Sequence, residues 1–117
     1  MSGPAVIQRG EVWRVCLDPT KGDEIQKTRP CLVISADGVG RLRLKTIVPI
    51  TQPAKEQALW HVPIHPHSSN GLSKPSVVDA LQIRTISHDR FLKKLGRLTA
   101  QQMDDVAASV AIVLEIQ

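Results

Sequence analysis

In the stretch Glu11-Val12-Trp13-Arg14-Val15-Cys16-Leu17, the residues Trp13, Val15 and Leu17 alternate onto one face. That period of two predicts a strand whose other face is more polar. Asp18-Pro19 stops it, and a mixed-charge loop follows through Thr20-Lys21-Gly22-Asp23-Glu24-Ile25-Gln26-Lys27-Thr28-Arg29-Pro30. The loop drops directly into the apolar run 31–35, predicted as a second, buried strand. Asp37-Gly38 and Gly40 mark a turn. Residues 41–45 alternate basic and apolar positions, as a half-exposed strand should, and residues 46–51 carry that strand inward. Pro49 argues for an edge or a bulge near its end.

After a polar loop at 52–57, Trp60, Val62 and Ile64 share a face and predict another strand. A turn-rich segment fills 66–75, and the β-branched run 76–86 (SVVDALQIRTI) predicts one more. Ser87-His88-Asp89-Arg90 reads as a capped single helical turn, and Leu95-Gly96-Arg97-Leu98 as a short last strand. Thr99-x-x-Gln102 is a capping box at the head of a helix. Met103, Val106, Val110, Val113 and Leu114 recur at helical spacing behind it, with Asp104 and Asp105 expected in the first turn, where they complement the helix dipole. Strands without strand–helix alternation, closed by one amphipathic helix, predict a mainly β fold: a small antiparallel barrel or strongly bent sheet with a C-terminal helix.

The 117 residues fit one domain, 1–117. Fifteen Lys and Arg against eleven Asp and Glu leave a charge of +4, which favours a polyanionic partner without establishing one. Cys16 and Cys31 lie in strand-like runs and lack Cys-x-x-Cys spacing, so they read as reduced, buried core thiols. No stretch approaches a membrane span and no signal-peptide core precedes Arg9, so a cytoplasmic protein is expected.

Candidate chemistry narrows quickly. His65-Pro66-His67 offers two imidazoles to a metal but lacks a third ligand at suitable spacing, and reads equally as a solvated loop. A metal-dependent nuclease built on those two histidines is the weakest of three readings. His61 alternates with Trp60 and Val62 and is expected on an outer face. Only 3% of residues are aromatic, tyrosine is absent, and Trp13 and Phe91 fall on core faces. An aromatic platform for stacking bases is therefore disfavoured, and any nucleic acid would be held through phosphate and sugar. Arg29, tethered to a buried strand by Pro30, and Thr51, ending another, would together offer a guanidinium fork and a hydroxyl to one phosphate. Taken singly, each also reads as an ordinary strand-end residue.

The blocks Arg9-Gly10-Glu11-Val12-Trp13, Asp18-Pro19-Thr20-Lys21-Gly22-Asp23-Glu24 and Lys27-Thr28-Arg29-Pro30 resemble the MazF/PemK toxin endoribonucleases of toxin–antitoxin pairs. So do Val48-Pro49-Ile50-Thr51, Gly71-Leu72 with Lys74-Pro75-Ser76, Gln82-Ile83-Arg84-Thr85-Ile86 and Lys94-Leu95-Gly96-Arg97-Leu98. Each fragment is weak alone, but they cover most of the chain in the right order. The resemblance implies an SH3-like small barrel with a C-terminal helix, a homodimer, an acidic antitoxin as partner, and cleavage of single-stranded RNA at short sequences with neither metal nor other cofactor. It implies Arg29 and Thr51 as the catalytic pair, Glu24 as a further active-site residue, and Gln82 in substrate binding. Thr20, Lys27, Thr28 and Arg84, in the same motifs, are expected to join Gln82 on the RNA. Residues 35–46 form a short segment in the region whose loop varies with RNA specificity in that family, so the bases read do not carry over.

Cleavage by the adjacent 2′-hydroxyl needs a base, an acid for the leaving 5′-oxygen, and donors for a doubly charged phosphorane. A guanidinium suits the donor and acid roles and is a poor base at neutral pH. Glu24 is the better base if it reaches the 2′-hydroxyl, and otherwise is a solvated loop carboxylate beside Lys21 or Lys27. The alternative function is an inactive barrel of the same fold that binds RNA or a partner protein without chemistry.

Overall fold

The computed structural model describes residues 6–40 and 42–117. Seven strands and one long helix follow in the order β1 (Glu11–Cys16), β2 (Thr28–Val33), β3 (Leu44–Thr51), β4 (His61–Ile64), β5 (Ser76–Asp79), β6 (Arg84–Ser87), β7 (Phe91–Arg97) and α1 (Ala100–Leu114). Every strand pairing is antiparallel, in the order β4-β5-β3-β2-β1-β7, with β6 also paired to β3. The architecture is mainly β, a barrel-like bent sheet with one C-terminal helix, as the sequence predicts. Among the described residues no helix is long and apolar enough to cross a membrane.

The bent sheet buries both of its faces. Trp13, Val15, Leu17, Cys31, Val33, Ile47 and Ile86 form one core; Val12, Leu32, Val48, Ile50, Ile64, Val78, Leu98 and Val106 form the other. Successive strand residues point to opposite faces, so β1, β2 and β3 feed both cores, which is why Cys31-Leu32-Val33 and Val48-Pro49-Ile50 are continuous buried runs. Trp13 meets Phe91 edge-on, at 5.8 Å between ring centroids. Cys31 is fully buried and its thiol is pushed up to about 12 by that burial, whereas Cys16 is only half-buried.

Several expected boundaries move. β2 begins at Thr28, because Cys16 pairs with Thr28 and draws Arg29 and Pro30 into the strand. Two of the three strand prolines, Pro30 and Pro49, sit where a ladder lacks a partner for the missing N–H. Pro30 precedes the β2–β3 ladder, which starts at Cys31 with Pro49. Pro49 lies where the other side of β3 changes partner, from β6 at Ile47 to β5 at Ile50. The run 76–86 is a strand interrupted by a 3-10 turn, Ala80–Gln82, capped by Asp79, whose Oδ1 accepts from the Leu81 amide at 3.1 Å. β3 itself starts at Leu44; of the expected outer part of that strand, Leu42 and Arg43 precede it and Arg41 lies outside the described residues.

β7 is longer than expected and carries register shifts against β1. His61 is turned inward rather than outward: it stands across from Asp79 in the β4–β5 ladder, with Nε2 3.9 Å from Oδ2. Trp60 precedes β4 and is exposed. The Ser87-His88-Asp89-Arg90 turn and the Thr99/Gln102 capping box both form. The helix begins at Ala100, so Asp104 and Asp105 fall in its second turn, clear of the positive end. Val106 is its fully buried residue, with Met103 and Val110 packed beside it, while Leu114 is exposed.

One small residue cluster fixes a long loop over the sheet. Asn70 is buried; its Oδ1 accepts from the amides of His67 and Leu72, and its Nδ2 donates to the His65 carbonyl. Gly71, at φ +71°, and Gly96 sit so close to the opposing backbone that a Cβ would come within 2.2 Å of the Leu95 oxygen or 2.4 Å of the Ser69 oxygen. The Arg97 amide donates to Ser69 at 2.8 Å. The turn-rich segment is therefore clamped to β7 rather than loosely solvated.

Candidate active site

The β2–β3 register sets the site. The ladder pairs Val33 with Ile47, Leu32 with Val48 and Cys31 with Pro49. Arg29 and Thr51 each lie two positions beyond its last pair. Both residues line one cleft, with Arg14 and Pro30 of β1 and β2, Ile50 of β3, and Leu72, Ser73 and Lys74 of the clamped loop. Arg29 is half-buried, and its Nε donates to the Gln26 carbonyl at 3.2 Å. That bond fixes the plane of the guanidinium and leaves its two terminal nitrogens for a ligand. No carboxylate lines this cleft.

A second cleft is lined by Asp23, Glu24, Ile25, Pro49, Leu81, Gln82, Ile83 and Arg84. Pro49 lies two residues before Thr51 and shares its face, so the two clefts adjoin across the end of β3. Glu24 is here, apart from the Arg29 cleft. Its Oε1 accepts from the Lys21 amide at 2.6 Å, and the Glu24 amide donates to the Lys21 carbonyl at 3.1 Å. The carboxylate thus closes a turn in an exposed loop, bonded to the backbone of Lys21.

Gln82 has a specific job in that cleft. Its Oε1 accepts from the Ile25 amide at 2.7 Å and its Nε2 donates to the Asp23 carbonyl at 3.0 Å. One side-chain amide thereby straps the loop on both sides of Glu24. The 3-10 turn is what brings it there: the β3–β5 and β3–β6 ladders are out of register by the three residues Ala80–Gln82, and this excursion carries Gln82 off the strand line. Arg84 Nη1 donates to the Leu17 carbonyl at 3.0 Å, and Arg90 Nη1 to Cys16 and Asp18 at 3.1 and 2.7 Å. These arginines anchor the loop's first residues.

Of the other residues proposed for RNA, Thr20 donates to Asp18 Oδ1 at 3.2 Å. Lys27 is exposed at φ +70°, and its carbonyl accepts from the Leu17 amide; Thr28 is exposed at the head of β2. These three line neither cleft. The structure brings Arg29 to Thr51, and Glu24 to Gln82 and Arg84. Sequence reasoning missed Arg14, Gln52, Ser73 and Lys74 in the first cleft; the one available signal was that Arg14 is the outward residue between Trp13 and Val15 of β1.

His65 and His67 do not assemble a metal site: His67 Nδ1 is 2.8 Å from Ser69 Oγ, and no group of three His, Cys, Asp or Glu converges among the described residues.

Glu11, in the first motif of the chain, is an anchor rather than a catalyst. Its carboxylate is buried beside Lys94 Nζ at 2.8 Å and Arg97 at 3.8 Å, and accepts from the Gln8 amide and the Trp13 indole at 2.8 and 3.0 Å. Burial pushes its carboxyl up, but the bonds from Lys94, Gln8 and Trp13 together hold it below the ordinary value.

A bent antiparallel sheet with a C-terminal helix, bearing a cationic, hydroxyl-lined cleft near a loop carboxylate, defines a small barrel-like protein of the MazF type. The family of PemK-like, MazF-like toxins of type II toxin–antitoxin systems matches residues 8–114, and the chain belongs to it. Endoribonuclease PemK of Escherichia coli is 34% identical over 92% of this chain and 82% of its own length. Endoribonuclease MazF9 of Mycobacterium tuberculosis is 28% identical over 95% of this chain and 98% of its own. The crystal structure of MazF from Deinococcus radiodurans superimposes with a TM-score of 0.82 at 25% identity, covering 96% of this chain and 99% of that one.

Proposed function

We propose that this chain is, over its whole length, one toxin domain: a sequence-selective endoribonuclease that cuts single-stranded RNA by attack of the adjacent 2′-hydroxyl. The observation that carries this reading is that Arg29 and Thr51 line one cleft together, with no carboxylate in its lining. A scissile phosphate seated there meets the terminal nitrogens of Arg29 and the hydroxyl of Thr51. As the phosphorane forms, its added charge is met by a guanidinium already oriented through Gln26, so little reorganisation is needed in the transition state. Arg29 also supplies the proton for the departing 5′-oxygen. Thr51 positions the phosphate. Glu24 is the candidate base, as a carboxylate of the adjoining cleft, and Gln82 holds the loop that carries it. The products are a 2′,3′-cyclic phosphate and a 5′-hydroxyl.

The family description supports an antitoxin as partner. The cationic cleft fits an acidic one, and the working form we propose is a cytoplasmic homodimer acting without metal or other cofactor. The test is to incubate the purified protein with a long RNA in excess EDTA and map the new ends. Cuts at a recurrent short sequence, carrying 5′-hydroxyls, are expected. RNA that is bound but left intact would sink the catalytic reading in favour of an inactive binding barrel, and cuts that require added metal would sink the donor-based mechanism.

A further inference from the structure

Arg14 and Lys93 stand directly opposite each other in the β1–β7 ladder, where two like charges repel. Both are exposed. Arg14 also pairs with Pro30 across β2 and lines the first cleft with it, and Lys93 lies beside Arg14 on the same face of the β1–β7 pair. Lys74 of the clamped loop lines the same cleft as Arg14, with Gln52, Ser73 and Ser76. The ion pairs among the described residues engage Arg43, His61, Lys94 and Arg97; none engages Arg14, Lys74 or Lys93. A strand pair that sets two cations side by side, with a third lining the same groove as one of them and no carboxylate in that lining, is complementary to an anion.

We infer that Arg14 and Lys93, together with Lys74, hold the RNA phosphate next to the scissile one, an assignment that rests on the endoribonuclease reading above. Arg29, near the start of β2, and Thr51, at the end of β3, line the same cleft as Arg14 and Lys74. A strand whose cut phosphate sits on Arg29 and Thr51 therefore continues along a cationic floor in one direction and toward the Glu24–Gln82 cleft in the other. Arg14, Lys74 and Lys93 are positioning residues: they act on the flanking phosphate, not on the reacting atoms.

The probe is a short RNA spanning a mapped cut site, with a 2′-deoxy sugar at the cut nucleotide so that it binds without reacting. R14Q and K93Q should each weaken its binding about two- to fivefold. Each should also flatten the slope of log affinity against log salt by about 0.7, the value for one lost contact to a single strand. With cleavable RNA, KM should rise more than kcat falls, and R14K should recover most of the loss. Replacing one flanking phosphate by an uncharged methylphosphonate should weaken the wild type more than R14Q does, and should weaken R14Q less than it weakens the wild type, through the Lys93 and Lys74 contacts that remain. Removing a like charge should leave the free protein at least as heat-stable as the parent.

Unchanged affinity and salt slope in R14Q and K93Q would overturn the assignment, as would a binding loss accompanied by lost stability or one insensitive to methylphosphonates on both sides. A wild type that cuts RNA while both variants bind as it does refutes the flanking site alone. A wild type that neither cuts nor binds RNA refutes the reading beneath it.

Discussion

Arg29 and Thr51 line one cleft, each two positions beyond the last β2–β3 ladder pair, Cys31 with Pro49. The geometry of the candidate site is thus inherited from core packing. Leu32 and Val48 must face one core while Val33 and Ile47 face the other, and a slip of one residue would invert all four. Fixing those side chains fixes the guanidinium and the hydroxyl.

Replacing Arg29 with Ala removes the main donor to the phosphorane. Single-turnover cleavage should fall by about a hundred- to a thousandfold, the scale of one lost preorganised donor. Arg29→Lys should recover little, since an ammonium lacks the planar fork. Thr51→Ala should cost about tenfold or less, as one neutral hydrogen bond does. All three variants should melt within a few degrees of the parent, because neither side chain is fully buried. Full activity in Arg29→Ala would dismiss the proposed chemistry.

Gln82→Ala removes both bonds that strap residues 23 and 25, each worth about 1 kcal/mol. Amide exchange at Ile25 should speed up markedly while exchange in β1 and β3 stays slow. Cleavage should fall with it, because the loop bearing Glu24 loses its anchor. Unaltered exchange at Ile25 would mean that Gln82 does not hold this loop.

How much of this was legible in the sequence depended on whether the signal was local. Alternation in β1, the capping box of α1 and the Ser87-His88-Asp89-Arg90 turn were readable because neighbours along the chain determine them. The start of β2 was not, since Pro30 looks like a strand terminator until Cys16 is known to pair with Thr28. The 3-10 turn at Ala80–Gln82 was hidden inside a β-branched run, because what breaks it is the change of partner along β3. The pairing of Arg29 with Thr51 was suggested by residue type and by family resemblance; its physical basis, the shared cleft, lies in contacts between distant segments. For Arg14 the sequence offered only its outward place on β1; that it lines the cleft rests on the same distant contacts.

Glu11 makes acid stability testable. Its carboxyl is held below its ordinary value of 4.5 in the fold, so the folded state binds that proton more weakly than the unfolded chain. Its contribution is fully present above about pH 4.5 and is lost as pH falls through the lowered folded value. Glu11→Ala strips the Trp13 indole and the Gln8 amide of their acceptor and should cost about 1–3 kcal/mol at neutral pH. Denaturant melts of parent and variant should differ at pH 7 and converge in acid. Parallel curves down to pH 2 would show that Glu11 carries no proton linkage.

Gly71 and Gly96 mark the place where the clamped loop rests on β7, and each leaves no room for a methyl group. At Gly71 the backbone also lies at φ +71°, so Gly71→Ala meets both a strained conformation and the Leu95 oxygen. Ala at either position forces the loop away from the strand, and with it the Leu72-Ser73-Lys74 wall of the first cleft. Both variants should melt well below the parent, and what folds should cut RNA poorly. Asn70→Ala reaches the same wall by another route, since it deletes the three bonds that shape the loop and leaves β7 intact. Its expected signature is a larger loss of RNA cleavage than of thermal stability, measured on the same preparation. Wild-type cleavage by Asn70→Ala or by folded Gly71→Ala would separate this loop from the site.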